Sequence, residues 1–325
     1  MGKGRVKGVA DIALCGTLAS MLEVAGWPKP GNVHRTSSFE PKFERFLCGA
    51  AILYTPLLKA AEAGFLAASE VKISGWKFGE LLTLSYTLGL DWHREGNTNL
   101  GTAMLLLPLS AGAGLLLGSE GKLDFKGLRR ATETMLQATD VNDALIFYKL
   151  LRKIGKRWLG RVKGGVIDVL DPRAYVKIRR LGCTFLDLMK MSAEWDSVAY
   201  ELAHSMPITF ELTYPTMAKY YRESGNINVA TVNTFLTILA QKSDTFIVRK
   251  LKAAGVDGAE EEAKRVSEMA REALKLGGVA TEVGRERLFK MDEELKRKGG
   301  LLNPGSTADL VAAGLMLLLL SGVKI

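Results

Sequence analysis

The sequence contains little cysteine or histidine, with three residues of each among 325. The cysteines are far apart in the chain and do not show the paired spacing of a zinc site; they are Cys15, Cys48 and Cys183. Neither a disulfide framework nor a structural zinc ion is therefore expected. Unpaired cysteines of this kind are typical of a reducing compartment, and we predict a cytoplasmic protein.

Signals for secretion and for membrane insertion are also weak. The residues before Asp11 are partly basic but lack the apolar run of a signal peptide. Residues 100–118 are uncharged and long enough to cross a bilayer. However, Pro108, Gly112 and Gly114 interrupt this run and polar residues precede it, which favours a buried central helix. No membrane association is predicted.

Positive charge is concentrated in one stretch of the chain. Residues 149–180 contain eleven Lys and Arg against two Asp, which accounts for the whole net charge of +9. One interpretation is a site for an anionic partner such as polyphosphate, a nucleotide cofactor or RNA. The other is a solvated helix face, which is the usual role of a charge run. The pattern leaves both open.

Apolar residues recur at helical spacing through most of the chain. Helices are predicted over 11–25, 43–63, 183–204, 228–241, 259–276 and 282–298, and from Asp140 or Asn142 to Trp158. Strand candidates are few, and the best is the short stretch GGVIDVLD at 164–171. We predict an all-α fold in which residues 1–325 form a single compact domain. About a dozen helices would surround central apolar helices.

Small polar residues and glycines gather in four segments, mostly where an apolar helix begins. The segments are EVAGWPKPGNVHRTSSFE, EGNTNLGT, QKSDTFIVRK and LLNPGSTADLVAAGL. Free N–H groups at a helix start favour an anion, and glycine lets a ligand approach the backbone. Taken singly, the clusters have structural explanations. Asp244 and either Ser306 or Thr307 would be N-caps, His34 a surface or packed histidine and Lys29 a solvated lysine. The functional interpretation requires that the segments converge on one pocket.

Five segments resemble, in order and approximate spacing, the triphosphoribosyl-dephospho-CoA synthase family. They are EVAGWPKPGNVHR, EGNTNLGT, DVNDALIFYKLLR, SDTFIVRK and NPGSTADLVAAGL, and the resemblance extends from about residue 11 to 322. It implies an all-helical transferase that joins the 5-triphosphoribosyl group of ATP to a hydroxyl of dephospho-CoA and releases adenine.

The sequence departs from the common family pattern at two places. Asn32, Val33 and His34 stand where bacterial members commonly read L-V-D, and Asn99 and Leu100 stand where they commonly read H-K. The chain therefore looks closer to a divergent, archaeal-type branch, and a related acceptor in place of dephospho-CoA remains open.

The resemblance implies a set of site residues. Asp244 and Asp309 are expected to hold Mg²⁺ with ATP. The expected nucleotide-binding residues are Lys29, Gly31, Asn32, Arg35, Asn97, Thr98, Asn99, Gly101, Arg249, Lys250, Asn303, Gly305, Ser306 and Thr307. Substitution at C1′ of a ribose passes through an oxocarbenium-like state, so a carboxylate or base is also needed. Glu23, His34 and Asp143 are the candidates, and for Glu23 an ordinary helix-surface position is an equal alternative.

Two other functions remain open at this point. A Mg²⁺-dependent nucleotide hydrolase, or a transferase with another acceptor, would use the same pocket. An RNA-binding helical protein would use residues 149–180, with Tyr148, Trp158 and Tyr175 stacking on bases. Against this, Trp158 lies on an apolar stripe and no nucleic-acid motif occurs. The expected partners are ATP and dephospho-CoA or a related acceptor. Nucleic acid and membranes are not expected, and a homo-oligomer is left open.

Overall fold

The structure is a computed structural model that describes residues 6–36, 42–71, 73–92, 98–155 and 167–325. Its helices are α1 Val9–Ala25, α2 Phe43–Ile52, α3 Tyr54–Ala67, α4 Phe78–Trp92, α5 Leu100–Glu120, α6 Phe125–Gln137, α7 Val141–Ile154, α8 Ala174–Leu181, α9 Phe185–Ser192, α10 Ser197–Ala203, α11 Tyr214–Ser224, α12 Ile227–Gln241, α13 Thr245–Ala253, α14 Ala259–Lys275, α15 Glu282–Lys296 and α16 Gly305–Leu320. A π-helical segment, Ile208–Thr213, precedes α11, and a 3₁₀ turn, Gly278–Ala280, precedes α15. The predicted all-α fold is confirmed.

Two predicted helices are each divided in the structure. The run over 43–63 forms α2 and α3, which meet at Leu53. The run over 183–204 forms α9 and α10, because Asp196 caps a new helix by accepting a hydrogen bond from the Ala199 N–H. Apolar periodicity continues across both breaks, so the pattern alone could not show them.

The strand predicted over 164–171 is wrong for its described part. Residues 167–171 form a turn that leads into α8. The Asp168 carboxylate accepts from the Leu170 N–H at 2.8 Å, and the Asp171 carboxylate accepts from the Arg173 N–H at 2.8 Å. Such local side-chain bonds satisfy backbone N–H groups in place of a neighbouring strand.

The centre of the molecule is formed by α5 and α16. Neither helix has a charged face, and nearly every side chain from Thr102 to Gly114 and from Leu310 to Leu320 is buried. Helices that are apolar all round are stable only when other helices surround them. By length and hydropathy, α5 and the segment Phe43–Ala67 could each cross a membrane. However, 78% of the apolar window of α5 is buried inside the protein, as in a core helix.

Glycines allow α3 and α5 to pack backbone against backbone. A Cβ added at Gly64 would lie 1.8 Å from the Ala111 carbonyl oxygen, and one at Gly114 would lie 2.0 Å from the Ala61 carbonyl oxygen. Both distances are far inside van der Waals contact. The glycines that interrupt the apolar run therefore set the distance between two core helices.

We expect Gly114→Ala to destabilise the protein, because α3 would have to move away from α5. Overpacking of a core commonly lowers the free energy of unfolding by about 1–3 kcal/mol. Guanidinium unfolding followed by circular dichroism would measure the change. Gly75→Ala is the matched control, since an added Cβ there meets no other described atom within 4 Å. Equal unfolding midpoints for the two variants would contradict the close-packing argument.

Candidate functional site

Residues from all four polar segments meet at one cavity. Its volume is about 280 Å³, near the lower end of small-molecule sites. The polar side chains of its lining are Glu23, Asn32, Thr98, Asn99, Thr102, Tyr148, Ser192, Asp196, Arg249, Asn303, Ser306 and Asp309, and Gly101 and Gly305 also line it. Segments that are distant in sequence thus converge, as the functional interpretation required. Asn97, a predicted site residue, lies outside the described residues.

The Asp309 carboxylate lies at the junction of α16 and α5. Its Oδ1 accepts a hydrogen bond from the Thr102 hydroxyl at 2.7 Å. A Cβ added at Gly101 would lie 2.1 Å from Asp309 Oδ2, so only glycine fits at this position. Burial raises the pKa of Asp309 to about 8, and the neighbouring carboxylates, Glu23 first among them, contribute to the increase. At neutral pH this side chain therefore holds a proton in the absence of a cation.

Glu23 lines the cavity and is paired with a buried lysine. Lys29 is fully buried, donates to the Glu23 carbonyl oxygen at 2.8 Å and forms an ion pair with Glu23 Oε1. Burial raises the pKa of Glu23 and lowers that of Lys29, and the charge of each opposes the shift of the other. A surface position for Glu23 and a solvated Lys29 are both wrong. Lys29 is not part of the cavity lining, so its contact is with Glu23 and not with a phosphate.

Asp244 is the N-cap of α13, which confirms the structural explanation for this residue. Its Oδ1 accepts from the N–H groups of Phe246 and Ile247, at 2.9 and 3.0 Å. Its Oδ2 accepts from the N–H and the hydroxyl of Thr307, at 2.7 and 2.8 Å. Both oxygens thus join α13 to the first turn of α16. These bonds favour a structural role over the predicted metal-binding one, and Asp244 is not among the residues that line the cavity.

The predicted caps of α16 are wrong. The N-cap is Pro304, and the helix begins at Gly305 without a side-chain cap. Ser306 lies inside the first turn, where its hydroxyl is 3.2 Å from that of Thr245, and it lines the cavity. Gly305 is needed for packing, because an added Cβ would lie 2.6 Å from the Phe246 ring. The proline cannot cap with a side chain, and the Thr307 N–H is bonded by Asp244 Oδ2 and the Gly305 N–H by the Asn303 carbonyl instead.

His34 is a packed histidine and does not line the cavity. Its Nε2 lies 3.1 Å from Asp292 Oδ2, and the Lys296 ammonium donates to the same oxygen at 2.5 Å. Asp292 Oδ1 accepts from the Gly31 N–H at 2.9 Å. Gly31 has φ +70°, a conformation that glycine adopts without strain. These bonds fix the turn after α1 on α15, and they favour structural roles for His34 and Gly31, neither of which lines the cavity.

Asn32 and Arg35 flank this turn and have different positions. The Asn32 amide donates to the Pro304 carbonyl at 3.1 Å, which joins the turn to the start of α16 at the edge of the cavity. Arg35 is exposed and donates to the Ala25 carbonyl at 3.2 Å. The structure therefore brings Asn32 into the site but not Arg35.

Asp143 is buried away from the cavity and completes a capping box. Its Oδ2 accepts from the Asp140 N–H at 3.0 Å, and its Oδ1 accepts from the Gly79 N–H at 2.8 Å. Asp140 is the N-cap of α7, as one of the two sequence alternatives predicted. With both oxygens bonded to the backbone, Asp143 joins α7 to the start of α4 and is not placed to act as a base.

Arg249 lines the cavity, whereas the adjacent Lys250 does not. The Arg249 guanidinium donates to Asp196 Oδ2 at 2.5 Å, and its buried Nε has no hydrogen-bond partner among the described residues. Lys250 donates to the carbonyls of Gly300 and Asn303, at 2.6 and 3.0 Å. Burial lowers the pKa of Lys250 to about 7. Lys250 thus shapes the loop before α16, whose Asn303 amide oxygen is buried and without a described partner.

Several residues of the cavity have no distinguishing sequence signal. Asp196 has the pattern of an ordinary N-cap, and Thr102 is one of several threonines near the start of α5. A Cβ added at Gly49 would lie 2.5 Å from the side chains of both Thr98 and Asn99, so α2 packs on these site residues. Hydrogen-bonding partners in space, not local pattern, identify such positions.

The described cations of the basic stretch have other partners or face solvent. The Arg152 guanidinium donates to the carbonyls of Val169 and Asp171, and Lys177 pairs with Asp171 at 2.5 Å. Lys149 is exposed and does not line the cavity. Residues 156–166, including Trp158, lie outside the described residues. The solvated-face interpretation is favoured for the described part.

Comparison with known proteins places these residues in context. The family model described as ATP:dephospho-CoA triphosphoribosyl transferase matches residues 9–324. A 2-(5''-triphosphoribosyl)-3'-dephosphocoenzyme-A synthase from Klebsiella pneumoniae is 34% identical over 98 residues, which are 30% of each chain. A candidate enzyme of the same name from Malonomonas rubra is 28% identical over 125 residues, 38% of this chain and 36% of the relative. The matched segments thus span about a third of these relatives.

A solved structure is similar over most of the chain. It is the crystal structure of a candidate triphosphoribosyl-dephospho-CoA synthase from Archaeoglobus fulgidus. The TM-score is 0.58 and the identity 25%, and the match covers 87% of this chain and 100% of the other. This structure is similar to the present chain in the arrangement of its helices.

The buried Asp309 should make stability depend on pH. Its pKa is 3.8 when unperturbed and about 8 in the folded protein. Between these values the folded protein holds a proton that the unfolded chain has lost, so the free energy of unfolding decreases as pH rises. We expect Asp309→Asn to remove this contribution and to be more stable than wild type at pH 8. Guanidinium unfolding at pH 5 and pH 8 would test this. The exposed Glu120→Gln, at the other end of α5, is the control. An unchanged pH dependence in Asp309→Asn would show that Asp309 is ionised in the folded protein.

Proposed function

Because the chain belongs to the ATP:dephospho-CoA triphosphoribosyl transferase family, we propose that it transfers the 5-triphosphoribosyl group of ATP to a hydroxyl of dephospho-CoA or a related acceptor, with release of adenine. One observation carries the proposal at the level of the site. Glu23, Asp309 and Arg249 meet the starts of α5 and α16 around one cavity. This arrangement supplies both anion-binding groups and carboxylates for chemistry at a ribose.

The triphosphate is best accommodated at the starts of α5 and α16. The N-cap residues Asn99 and Pro304 make no side-chain cap bond, although Asp244 already accepts from the Thr307 N–H in the first turn of α16. The positive end of each helix dipole favours an anion. The Ser306 hydroxyl and the Arg249 guanidinium add donors on the same side. The triphosphate takes no part in bond breaking, so its binding energy can serve to position the ribose.

A divalent cation fits the charges of this lining. Glu23 and Asp196 are each paired with a cation, and Asp309 is protonated at neutral pH, so the lining has no spare positive charge to balance a triphosphate. Among the described residues no group of three or more His, Cys, Asp or Glu could hold a metal ion on its own. Magnesium commonly binds one or two carboxylates together with substrate phosphates. We assign this role to Asp309, whose raised pKa a neighbouring cation would lower. Magnesium, when bound, would neutralise charge on the triphosphate.

Glu23 is the best-placed carboxylate for the reacting ribose. It lines the cavity, and the Lys29 ammonium fixes its orientation and favours its ionised form. An ionised carboxylate can stabilise positive charge that develops at C1′, or accept the proton of the attacking hydroxyl. Lys29 acts through Glu23 and is a positioning residue. His34 and Asp143 are left out because their hydrogen bonds are structural.

The alternatives are less well supported by the structure. A nucleotide hydrolase would use the same cavity and would release phosphate or pyrophosphate in place of adenine. An RNA-binding role is not favoured, because the family model that matches residues 9–324 describes a transferase, although Lys149, Arg179 and Arg180 face solvent. We also place the enzyme in the cytoplasm, where ATP and reduced cysteines occur together.

Incubation of the protein with ATP, Mg²⁺ and dephospho-CoA should release adenine, and chromatography with mass spectrometry would identify both products. We expect Glu23→Gln to lower kcat by about 10²–10⁴-fold, the usual contribution of acid–base catalysis. The KM for ATP should change little. Glu120→Gln is the control for loss of a carboxylate elsewhere. Phosphate release without adenine would support the hydrolase instead.

Asp309→Asn should weaken Mg²⁺–ATP binding while leaving helicity intact. The amide cannot supply the negative charge that a divalent cation requires. Isothermal titration with ATP, with and without Mg²⁺, would measure the affinity, and circular dichroism would monitor the fold. If the variant bound Mg²⁺–ATP as tightly as wild type, Asp309 would have no part in the metal site.

A further inference from the structure

The cavity has a second part that carries no charge. It is formed by α7, by the turn at 167–170 and by α9; we call it the neutral lobe, lined by Tyr148, Leu151, Ile167, Val169, Leu188 and Met189, with Phe147 beside Tyr148 and Ser192 at the end of α9. The charged lining residues all belong to other segments. Those that approach it most directly are Asp196, the N-cap of α10, and Arg249, its ion-pair partner.

Two hydrogen bonds fix the turn at 167–170, which forms one wall of the neutral lobe. The Tyr148 hydroxyl donates to the Ile167 carbonyl at 2.5 Å, and the Arg152 guanidinium donates to the Val169 carbonyl at 2.7 Å. Arg152 also lies over the Tyr175 ring, 4.4 Å from its centroid. These bonds fix the backbone of the turn at Ile167 and Val169, its two residues whose side chains line the lobe.

The chemistry of the lining limits what can bind there. The Tyr148 hydroxyl is already bonded, so a phosphate would lose its hydration for the Ser192 hydroxyl and for no charged partner, which is costly. A purine would need a free aromatic face, whereas Phe147 packs edge-on against Phe185 at 5.2 Å, and both Phe147 and Tyr148 are only 5% exposed. Trp195, which is 38% exposed and also lines the cavity, belongs to the loop between α9 and α10 and offers such a face outside the lobe. Leucine, isoleucine, valine and methionine remain, and these suit a flexible chain of methylene and methyl groups.

We propose that the neutral lobe binds the uncharged, thiol-terminated arm of the acceptor, while the ribose and phosphates of both substrates occupy the charged part of the cavity. The inference rests on the proposed function, since dephospho-CoA has such an arm and ATP does not. Contacts between the helices agree with this division. α10 packs on α9 on one side and on α5 and α16 on the other, so the acceptor would extend past Asp196 from one part to the other.

The test uses Val169→Trp, which fills the lobe from a partly exposed turn without removing a core side chain. Val176→Trp, at an exposed site on α8, is the matched control. We expect Val169→Trp to raise the KM for dephospho-CoA by about tenfold or more, as occlusion of an apolar pocket does, with the KM for ATP unchanged. Pantetheine should inhibit wild type competitively against dephospho-CoA and not against ATP. Leu151→Asn is a second variant, for use if the tryptophan disturbs the fold by circular dichroism.

The outcomes separate this inference from the proposed function. An equal rise in the KM for ATP would place the purine of ATP in the lobe and overturn the inference. No change in either KM would overturn it as well. If wild type releases no adenine, isothermal titration decides: dephospho-CoA binding that Val169→Trp abolishes keeps the lobe and rejects the reaction. Absence of dephospho-CoA binding to wild type would reject both.

Discussion

The burial of the Asp309 carboxylate between α5 and α16 is the constraint on which the site depends. It requires a glycine at position 101, since any Cβ would meet the carboxylate, and a hydroxyl at Thr102 to bond it. A carboxylate surrounded by protein and by other carboxylates is costly to ionise. The two central helices thus meet at a point where a carboxylate is costly to ionise unless a cation neutralises its charge. Such a conflict between stability and local chemistry is typical of functional sites.

A second set of contacts fixes the opposite wall. Asp292 on α15 bonds the Gly31 N–H and His34, so the turn after α1 is attached to a helix far away in sequence. The same turn contains Lys29, which donates a hydrogen bond to the Glu23 carbonyl oxygen. Several predicted site residues therefore act at a distance from the cavity: they hold the side chains that line it. Substitutions at these positions would move the side chains that line the cavity and would affect the reaction only through that movement.

The sequence was sufficient for the fold class and marked the four polar segments, but only the structure shows that these segments converge on one cavity. Helical spacing and uncharged runs follow from local pattern, and a helix without a polar face must be buried. The burial of Lys29 could not be inferred in this way, because it depends on Glu23 and on the Phe235 ring, 6.0 Å away on α12. The roles of Asp143 and Asp244 were ambiguous for a similar reason. A carboxylate at a helix start has the same sequence pattern whether its oxygens bond backbone or metal. The neutral lobe left no pattern, since core and pocket residues are alike in composition.

The cavity draws on residues from Glu23 to Asp309, which are joined only in the finished fold. During synthesis, Glu23 and Lys29 therefore acquire all of their neighbours only after α15 and α16 have left the ribosome. Until then, α5 lacks the helix α16 that packs against it in the finished fold. A nascent chain without α16 lacks Ser306 and Asp309, so the cavity can be completed only after translation of that helix.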